Sequence, residues 1–217
     1  VIPVYSTSSN GTTWSTPTAI NGTTAAGIMT AITVNSSGLF VAVGQDATTY
    51  YAIYATSTNG TTWSTPVAMP GQTIQFNPSS ICVSSTGRFV AVGFETGYAP
   101  YIASGGPMYA TSTNGSTWTT PARMAGVTTD FMVRGVAVNT AGTFVAVGSP
   151  YGVPIPQITA LYSTSTNGST WSTPTGTVFN TEFYSYYGIA VSPTTGKFVV
   201  VGAESQSILA GTWAISN

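Results

Sequence analysis

The chain has 217 residues, of which 42% are apolar and only 4% are charged, with a net charge of −1. This apolar share is large enough for a packed core, which argues against disorder. The scarcity of charge excludes a basic surface for nucleic acid or for an anionic membrane, and no apolar run is long enough to cross a bilayer as a helix.

Side chains that commonly carry catalysis or bind metals are scarce. The chain has no His, which is the commonest general base and metal ligand. Its one cysteine, Cys82, excludes an intramolecular disulfide, and we expect it to be a small buried side chain because Ala137 and Ala190 take its place in other repeats. No acidic cluster offers a cation site. We therefore predict no metal site and no cofactor.

The first element along the chain is a phrase with the pattern Y-[SA]-T-S-[ST]-N-G-[TS]-T-W-[ST]-T-P. Its copies are Tyr5–Pro17, Tyr54–Pro66, Tyr109–Pro121 and Tyr162–Pro174. The Asn-Gly pair predicts a tight turn, because both residues accept a positive φ. We expect the residues before the turn to form one strand, strand C. We expect Thr-Trp-Ser-Thr to form the next, strand D, ending at proline, which cannot donate to a ladder.

A second phrase, G-x-F-V-[AV]-V-G, recurs between the copies of the first. Its copies are Gly38–Gly44, Gly87–Gly93, Gly142–Gly148 and Gly196–Gly202. β-Branched residues alternate before and within it, which predicts a hairpin of two further strands, A and B. Four antiparallel strands in a repeat of roughly 50 residues are typical of a propeller blade. We predict an all-β fold, a single β-propeller domain of four such blades.

The repeats do not begin and end in phase with the chain. Within the domain 1–217, three blades are complete at about 29–68, 79–122 and 134–175. The fourth, 189–217, lacks a strand D, and 1–17 carries one. We expect segments 1–17 and 208–217 to complete this blade, either within one closed ring or by donation between copies in a filament.

The turn of the first phrase resembles the Asp-box, or BNR, repeat of sialidases and other secreted propellers, whose pattern is S-x-D-x-G-x-T-W. The segment Ser57–Trp63 keeps the Ser, Gly, Thr and Trp, is one residue shorter, and has Asn59 in place of Asp. In that family the box is a structural turn far from the catalytic face, with its Trp packed between blades. The resemblance therefore implies a structural role for the turn residues. These are Asn10, Trp14, Asn59, Trp63, Asn114, Trp118, Asn167 and Trp171.

The B–C and D–A loops lie on the other face of the predicted ring, which we call the variable face because its loops differ in every blade. Loops on a rigid scaffold often carry function, and we take their charged and Tyr residues as candidate binding residues. These are Asp46, Glu95, Tyr98, Tyr101, Arg123, Asp130, Arg134, Tyr151, Glu182, Tyr184, Tyr186 and Tyr187. Ligand recognition, contact between copies and unconstrained drift all remain open.

Catalysis is not expected from this set. Sialidases, which the box resembles, hold their substrate with three arginines, but Arg88 is placed in an A–B turn, opposite Arg123 and Arg134. Asp130 and Glu182 share the variable face, and two carboxylates are the catalytic pair of most glycoside hydrolases. A glycoside hydrolase is therefore a third hypothesis. We predict a protein that is not an enzyme: an extracellular or cell-surface subunit that self-associates. The alternative is a lectin-like adhesion module with glycans as partners.

Overall fold

The chain is built from β-strands. The computed structural model describes residues 1–20, 27–96, 106–124, 131–150, 160–176 and 183–205. These residues form sixteen strands and no helix, which confirms the predicted all-β propeller fold. No helix long and apolar enough to cross a membrane occurs in the described ranges.

The strands follow the repeat of the sequence. In chain order they are β1 (Val4–Tyr5), β2 (Thr18–Ala19), β3 (Gly27–Val34), β4 (Phe40–Asp46), β5 (Ala52–Ser57), β6 (Val67–Ala68), β7 (Phe76–Val83), β8 (Phe89–Glu95), β9 (Pro107–Ser112), β10 (Ala122–Arg123), β11 (Phe131–Val138), β12 (Phe144–Pro150), β13 (Leu161–Ser165), β14 (Thr175–Gly176), β15 (Phe183–Val191) and β16 (Phe198–Ser205). Blades 1, 2 and 3 are the four-stranded antiparallel sheets β3–β6, β7–β10 and β11–β14. The pairs β1–β2 and β15–β16 form two-stranded sheets, the first and the last half-blade.

Strands B and C pair in one register in all three blades. The first valine before the closing glycine of strand B pairs with the tyrosine that opens the first phrase. These pairs are Val43↔Tyr54, Val92↔Tyr109 and Val147↔Tyr162. The two sequence phrases therefore specify one hydrogen-bonded ladder in each blade, and they allow the register of a further blade to be read from its sequence.

Strand D differs from the sequence prediction. The outermost strands lie after the proline, at residues such as Val67–Ala68, and not over the Thr-Trp-Ser-Thr segment. The reason is local: the indole of Trp63 donates to the carbonyl oxygen of Gly60, and Ser64 Oγ accepts a hydrogen bond from the Thr56 backbone at 3.0 Å. The indole bond closes the turn, and the Ser64 hydroxyl takes the place of a backbone oxygen opposite Thr56. The segment therefore stays beside strand C without a regular ladder, which resumes only beyond proline.

Each inner strand carries a β-bulge at the same place. The inserted residues, which we call the bulge residues, are Thr30 in β3, Ser79 in β7, Arg134 in β11 and Tyr187 in β15. The closing glycine of strand B pairs with the residue before each bulge, as Gly93 does with Pro78. The bulge brings the two backbones so close that no Cβ fits at this glycine.

Blades stack through strand B of one blade and the inner strand of the next. Val41 and Val43 of blade 1 share a core with Ile81 and Trp118 of blade 2. The Trp118 ring also lies 6.0 Å from that of Tyr54 in strand C of blade 1. The same packing joins blade 2 to blade 3. Cohesion between blades therefore depends on aliphatic side chains and on one tryptophan per blade.

The two half-blades lie at opposite ends of this series. The first packs on blade 1, where the Tyr5 ring lies 6.2 Å from that of Trp63 and Ile20 is buried. The last packs on blade 3 through β15 and β11. Within the described residues, no hydrogen-bonded ladder joins β1–β2 to β15–β16. Completion of the fourth blade therefore remains a prediction.

Cys82 is buried in the core between blades 2 and 3. Burial raises the pKa of its thiol to about 12, because the charged thiolate is disfavoured away from water. The thiol is thus protonated at neutral pH and behaves as the small apolar side chain that the repeats indicate.

Candidate functional site

On the face that carries the repeat turns, the polar side chains form hydrogen bonds within their own turns. In blade 2, Asn114 Oδ1 accepts hydrogen bonds from the backbone N–H groups of Ser116 and Thr117, at 3.0 and 2.7 Å. The indole Nε1 of Trp118 donates to the carbonyl oxygen of Gly115 at 3.1 Å. The same bonds recur in blades 1 and 3. The polar groups of the turn are therefore used by the turn itself.

The replacement Asn114→Ala is expected to lower the free energy of unfolding by about 1–2 kcal/mol, because two backbone donors lose their acceptor. The matched variant Asn114→Asp keeps an oxygen at that position and should stay within about 0.5 kcal/mol of the parent. Urea unfolding followed by circular dichroism measures both. Equal losses in the two variants would contradict an acceptor role for this side chain.

Arg88 lies on the face of the repeat turns. Its Nη1 donates to the carbonyl oxygen of Asn167 at 3.0 Å and to Ser169 Oγ at 3.2 Å. This ties the A–B turn of blade 2 to the C–D turn of blade 3. Arg88 therefore serves contact between blades and is not part of the variable face.

On the variable face, Asp46 shapes its own loop. Its Oδ1 accepts hydrogen bonds from the backbone N–H groups of Thr48 and Thr49, at 2.9 and 2.7 Å. The bond from Thr49 is the largest cause that lowers the pKa of this carboxyl, and burial opposes it. The carboxylate that the sequence indicated as a candidate ligand-binding group is thus already hydrogen-bonded within its own turn.

Glu95 and Arg123 form an ion pair between β8 and β10 of blade 2. The Arg123 side chain is half exposed and that of Glu95 is largely buried. Close by, Gln45 Nε2 donates to Thr96 Oγ1 at 3.2 Å, which joins the variable faces of blades 1 and 2. Because each charge neutralises the other, this pair offers a polar patch without net charge.

Arg134 and Tyr187 come together as bulge residues of neighbouring inner strands. The guanidinium carbon of Arg134 lies 5.1 Å from the centre of the Tyr187 ring, which is a cation–π distance. In blades 1 and 2 the bulge residues Thr30 and Ser79 instead donate to a backbone oxygen of the next inner strand. The change to Arg and Tyr therefore gives blade 3 and the last half-blade a contact that the other blades lack.

One N–H group of the Arg134 guanidinium lacks a hydrogen-bond acceptor among the described residues. In the described part of the chain, its Nε is closed off from solvent and has no hydrogen-bond partner. A buried polar group without a partner is rare in folded proteins and calls for an explanation. The ring of Tyr187 beside it is half exposed. A charged donor and an open aromatic surface thus lie side by side.

Several predicted site residues lie outside the described residues. They are Tyr98, Tyr101, Asp130, Tyr151 and Glu182. Tyr184 and Tyr186 belong to β15, and Tyr186 pairs with Gly202 just before the bulge. Among the described residues, no group of three or more His, Cys, Asp or Glu could hold a metal ion.

Sequence reasoning missed the equivalence of the four bulge residues. A signal was present, because each lies two positions before an Ile or Val that opens the core segment of strand A. The four segments are Thr30–Ile32, Ser79–Ile81, Arg134–Val136 and Tyr187–Ile189. When the repeats are aligned on that aliphatic residue, Arg134 and Tyr187 occupy the same repeat position. Because their strands are neighbours in the propeller, this equivalence predicts that the two side chains are in contact.

Solved structures share this fold at low sequence identity. The NanB sialidase of Streptococcus pneumoniae aligns with 92% of this chain at 13% identity and a TM-score of 0.63, over 32% of its own length. The intramolecular trans-sialidase of Ruminococcus gnavus aligns with 89% at 13% identity and a TM-score of 0.55, over 44% of its length. An N-acetylgalactosamine deacetylase of F. plautii aligns with 87% at 14% identity and a TM-score of 0.52, over 66% of its length. The chain thus spans less than half of either sialidase.

No family model and no curated protein matches this chain. The likeness to sialidases supports the propeller fold that the repeats predict, and it does not test the variant box with Asn. The prediction that the chain is not an enzyme is wrong, because the solved structures that share its fold are catalysts: sialidases, a trans-sialidase and a deacetylase. At this identity the likeness shows the fold alone and assigns no reaction.

Proposed function

We propose that this chain recognises carbohydrate on its variable face, in an extracellular or cell-surface setting, with Arg134 and Tyr187 at the centre of the site. One observation carries the proposal. The guanidinium of Arg134 stacks on Tyr187 at 5.1 Å and has a buried Nε without a partner in the described part of the chain. A ligand that packs on the half-exposed Tyr187 ring would lie beside this guanidinium, where a ligand oxygen would pair with its positive charge.

The chemistry of the pair suits a sugar. Guanidinium N–H groups donate to hydroxyl or carboxylate oxygens, and an exposed aromatic face packs on the apolar C–H surface of a sugar ring. The trans-sialidase and the N-acetylgalactosamine deacetylase that share the fold are enzymes of sugars, and the deacetylase structure contains a blood group B trisaccharide. That similarity supports the choice of a glycan over other ligands with oxygen acceptors.

A glycan array with neutral and acidic sugars tests the proposal. We expect a defined set of glycans to bind the parent chain. Arg134→Gln should weaken binding roughly 10–100-fold, the equivalent of about 1.5–3 kcal/mol for a charged hydrogen bond. Arg123→Gln is the matched control, since Arg123 is already paired with Glu95, and it should leave affinity nearly unchanged. Equal losses in both variants, or no glycan bound at all, would contradict the proposal.

The glycans that bind are also the compounds to offer as substrates, because the solved structures with this fold are catalysts. Self-association, predicted from the sequence, stays a second proposal alongside recognition. It is favoured by the very low share of charged residues, 4% of the chain.

A further inference from the structure

Each copy of the first phrase holds a pair that is open to a spontaneous chemical change, an Asn followed by Gly. These pairs are Asn10–Gly11, Asn59–Gly60, Asn114–Gly115 and Asn167–Gly168. In such a pair the backbone nitrogen of the glycine can attack the carboxamide carbon of the asparagine, because no Cβ stands in its way. The attack closes a succinimide ring, and the proton of that nitrogen leaves with Nδ2 as ammonia. Water then opens the ring at either of its carbonyl carbons, which gives aspartate or isoaspartate.

The fold occupies the nitrogen that this reaction needs. In each of these turns the glycine N–H donates a hydrogen bond to the hydroxyl of the serine three residues before it. The bonds run from Gly11, Gly60, Gly115 and Gly168 to Ser8, Ser57, Ser112 and Ser165, at 2.8, 2.9, 2.8 and 2.8 Å. An N–H group that is held by an acceptor gives up its proton less readily, so the nucleophile of the reaction is suppressed in the folded turn.

In blades 2 and 3 the same glycine is also buried against the preceding blade. A Cβ on Gly115 would lie 2.7 Å from Cγ2 of Val41, and a Cβ on Gly168 would lie 2.5 Å from Cγ2 of Val90. Hydroxide, the base that removes the glycine proton, reaches a buried N–H group only through local opening of the structure. Reaction at these two pairs therefore requires the turn to leave the neighbouring blade.

The asparagine side chain is held in a way that does not protect it. In blade 1, Asn59 Oδ1 accepts hydrogen bonds from the backbone N–H groups of Thr61 and Thr62, at 3.0 and 2.8 Å. Donors at this oxygen polarise the carboxamide and would stabilise the negative charge that develops on the oxygen during the attack. The bond from the glycine to the serine is therefore the contact that opposes the reaction.

We propose that the serine of each turn protects its Asn-Gly pair from succinimide formation in the folded chain, and that these asparagines become deamidation sites once the turn opens. The two products have different consequences. Aspartate keeps an oxygen at the acceptor position, so the turn can form again. Isoaspartate lengthens the backbone by one carbon, and the bonds to the serine and to the side-chain oxygen can no longer form together. Each conversion also adds a negative charge to a chain whose net charge is −1.

The replacement Ser57→Ala tests the protective role. Circular dichroism first establishes that the variant is folded, and the chain is then incubated at mildly alkaline pH. Mass spectrometry of the peptide that contains Asn59 measures the replacement of its NH2 group by OH. We expect Asn59 to deamidate about 5–10-fold faster than in the parent, the equivalent of one lost hydrogen bond. Asn114 and Asn167 in the same molecules should react at the parental rate.

Ser64→Ala is the matched control in the same blade. It also removes a serine hydroxyl that accepts a backbone hydrogen bond, but that bond comes from Thr56 and not from Gly60. Asn59 should therefore deamidate at the parental rate in this variant. A parental rate in Ser57→Ala, or equal acceleration in both variants, would overturn the proposal.

A comparison of the folded and urea-unfolded parent tests the same protection without a substitution. In urea the four pairs should react at similar rates and give isoaspartate together with aspartate, which is the signature of the succinimide route. Asn77 is the internal control, because Pro78 follows it and has no N–H group, and it should stay unchanged. Deamidation of the folded parent at these turns as fast as in urea would contradict protection by the fold.

Discussion

Replacing Gly93 by alanine is expected to destabilise the propeller by about 3 kcal/mol or more. A Cβ on Gly93 would lie 2.0 Å from the backbone oxygen of Asn77 and 2.9 Å from the Cα of Pro78. Both atoms belong to the backbone next to the bulge in β7, so relief requires β7 and β8 to separate and their ladder to weaken. Urea unfolding followed by circular dichroism measures the loss.

Gly106→Ala is the matched control for this prediction. Its Cβ would approach only the Arg123 side chain, at 3.6 Å, an ordinary contact distance. That variant should be neutral or slightly stabilised, because alanine restricts the unfolded chain. A Gly93→Ala protein as stable as Gly106→Ala would show that the bulge does not require the glycine.

Removing the Trp118 side chain should cost about 3–5 kcal/mol. The ring is buried between blades 1 and 2, where it contacts Tyr54, and its Nε1 donates to Gly115. Trp118→Ala therefore leaves a cavity at a blade interface and opens the turn. Thermal and urea unfolding should both show the loss.

Trp14→Ala is the corresponding change at a box tryptophan that lies outside any blade interface in one copy. At concentrations where the chain is monomeric, it should change stability by no more than about 0.5 kcal/mol. A cost at Trp14 equal to that at Trp118 would mean that the indole stabilises its own turn and contributes little between blades.

Much of the fold could be predicted because its determinants are local and repeated. Alternating β-branched residues and the Asn-Gly turns are readable from single segments, and four repeats confirm one another. The position of strand D could not be read in this way. It depends on the bond from Trp63 to Gly60 and on the Ser64 hydroxyl, which replaces a backbone oxygen opposite Thr56. A segment with a strand-like sequence therefore lies beside strand C without forming a regular ladder.

The candidate site was only partly predictable for a related reason. Arg134 and Tyr187 were both named from their place near the variable face, but their contact joins residues on different blades. It arises because a bulge lifts one residue out of register in each inner strand, and the sequence shows no bulge directly. The charges of Asp46 and Glu95 were equally visible, and only the structure shows that local partners already occupy them.

The central claim is that Arg134 binds a glycan, and nuclear magnetic resonance of the arginine side chains tests it most directly. The chain has three arginines, Arg88, Arg123 and Arg134, so its ¹⁵N-labelled form should give three Nε–H resonances, assigned by single Arg→Gln variants. Nε of Arg134 is closed off from solvent, which favours a sharp signal. On titration with a glycan from the array, the Arg134 resonance should shift, while that of Arg88, held by Asn167 and Ser169, should not. Saturable glycan binding that leaves the Arg134 resonance in place would contradict the claim.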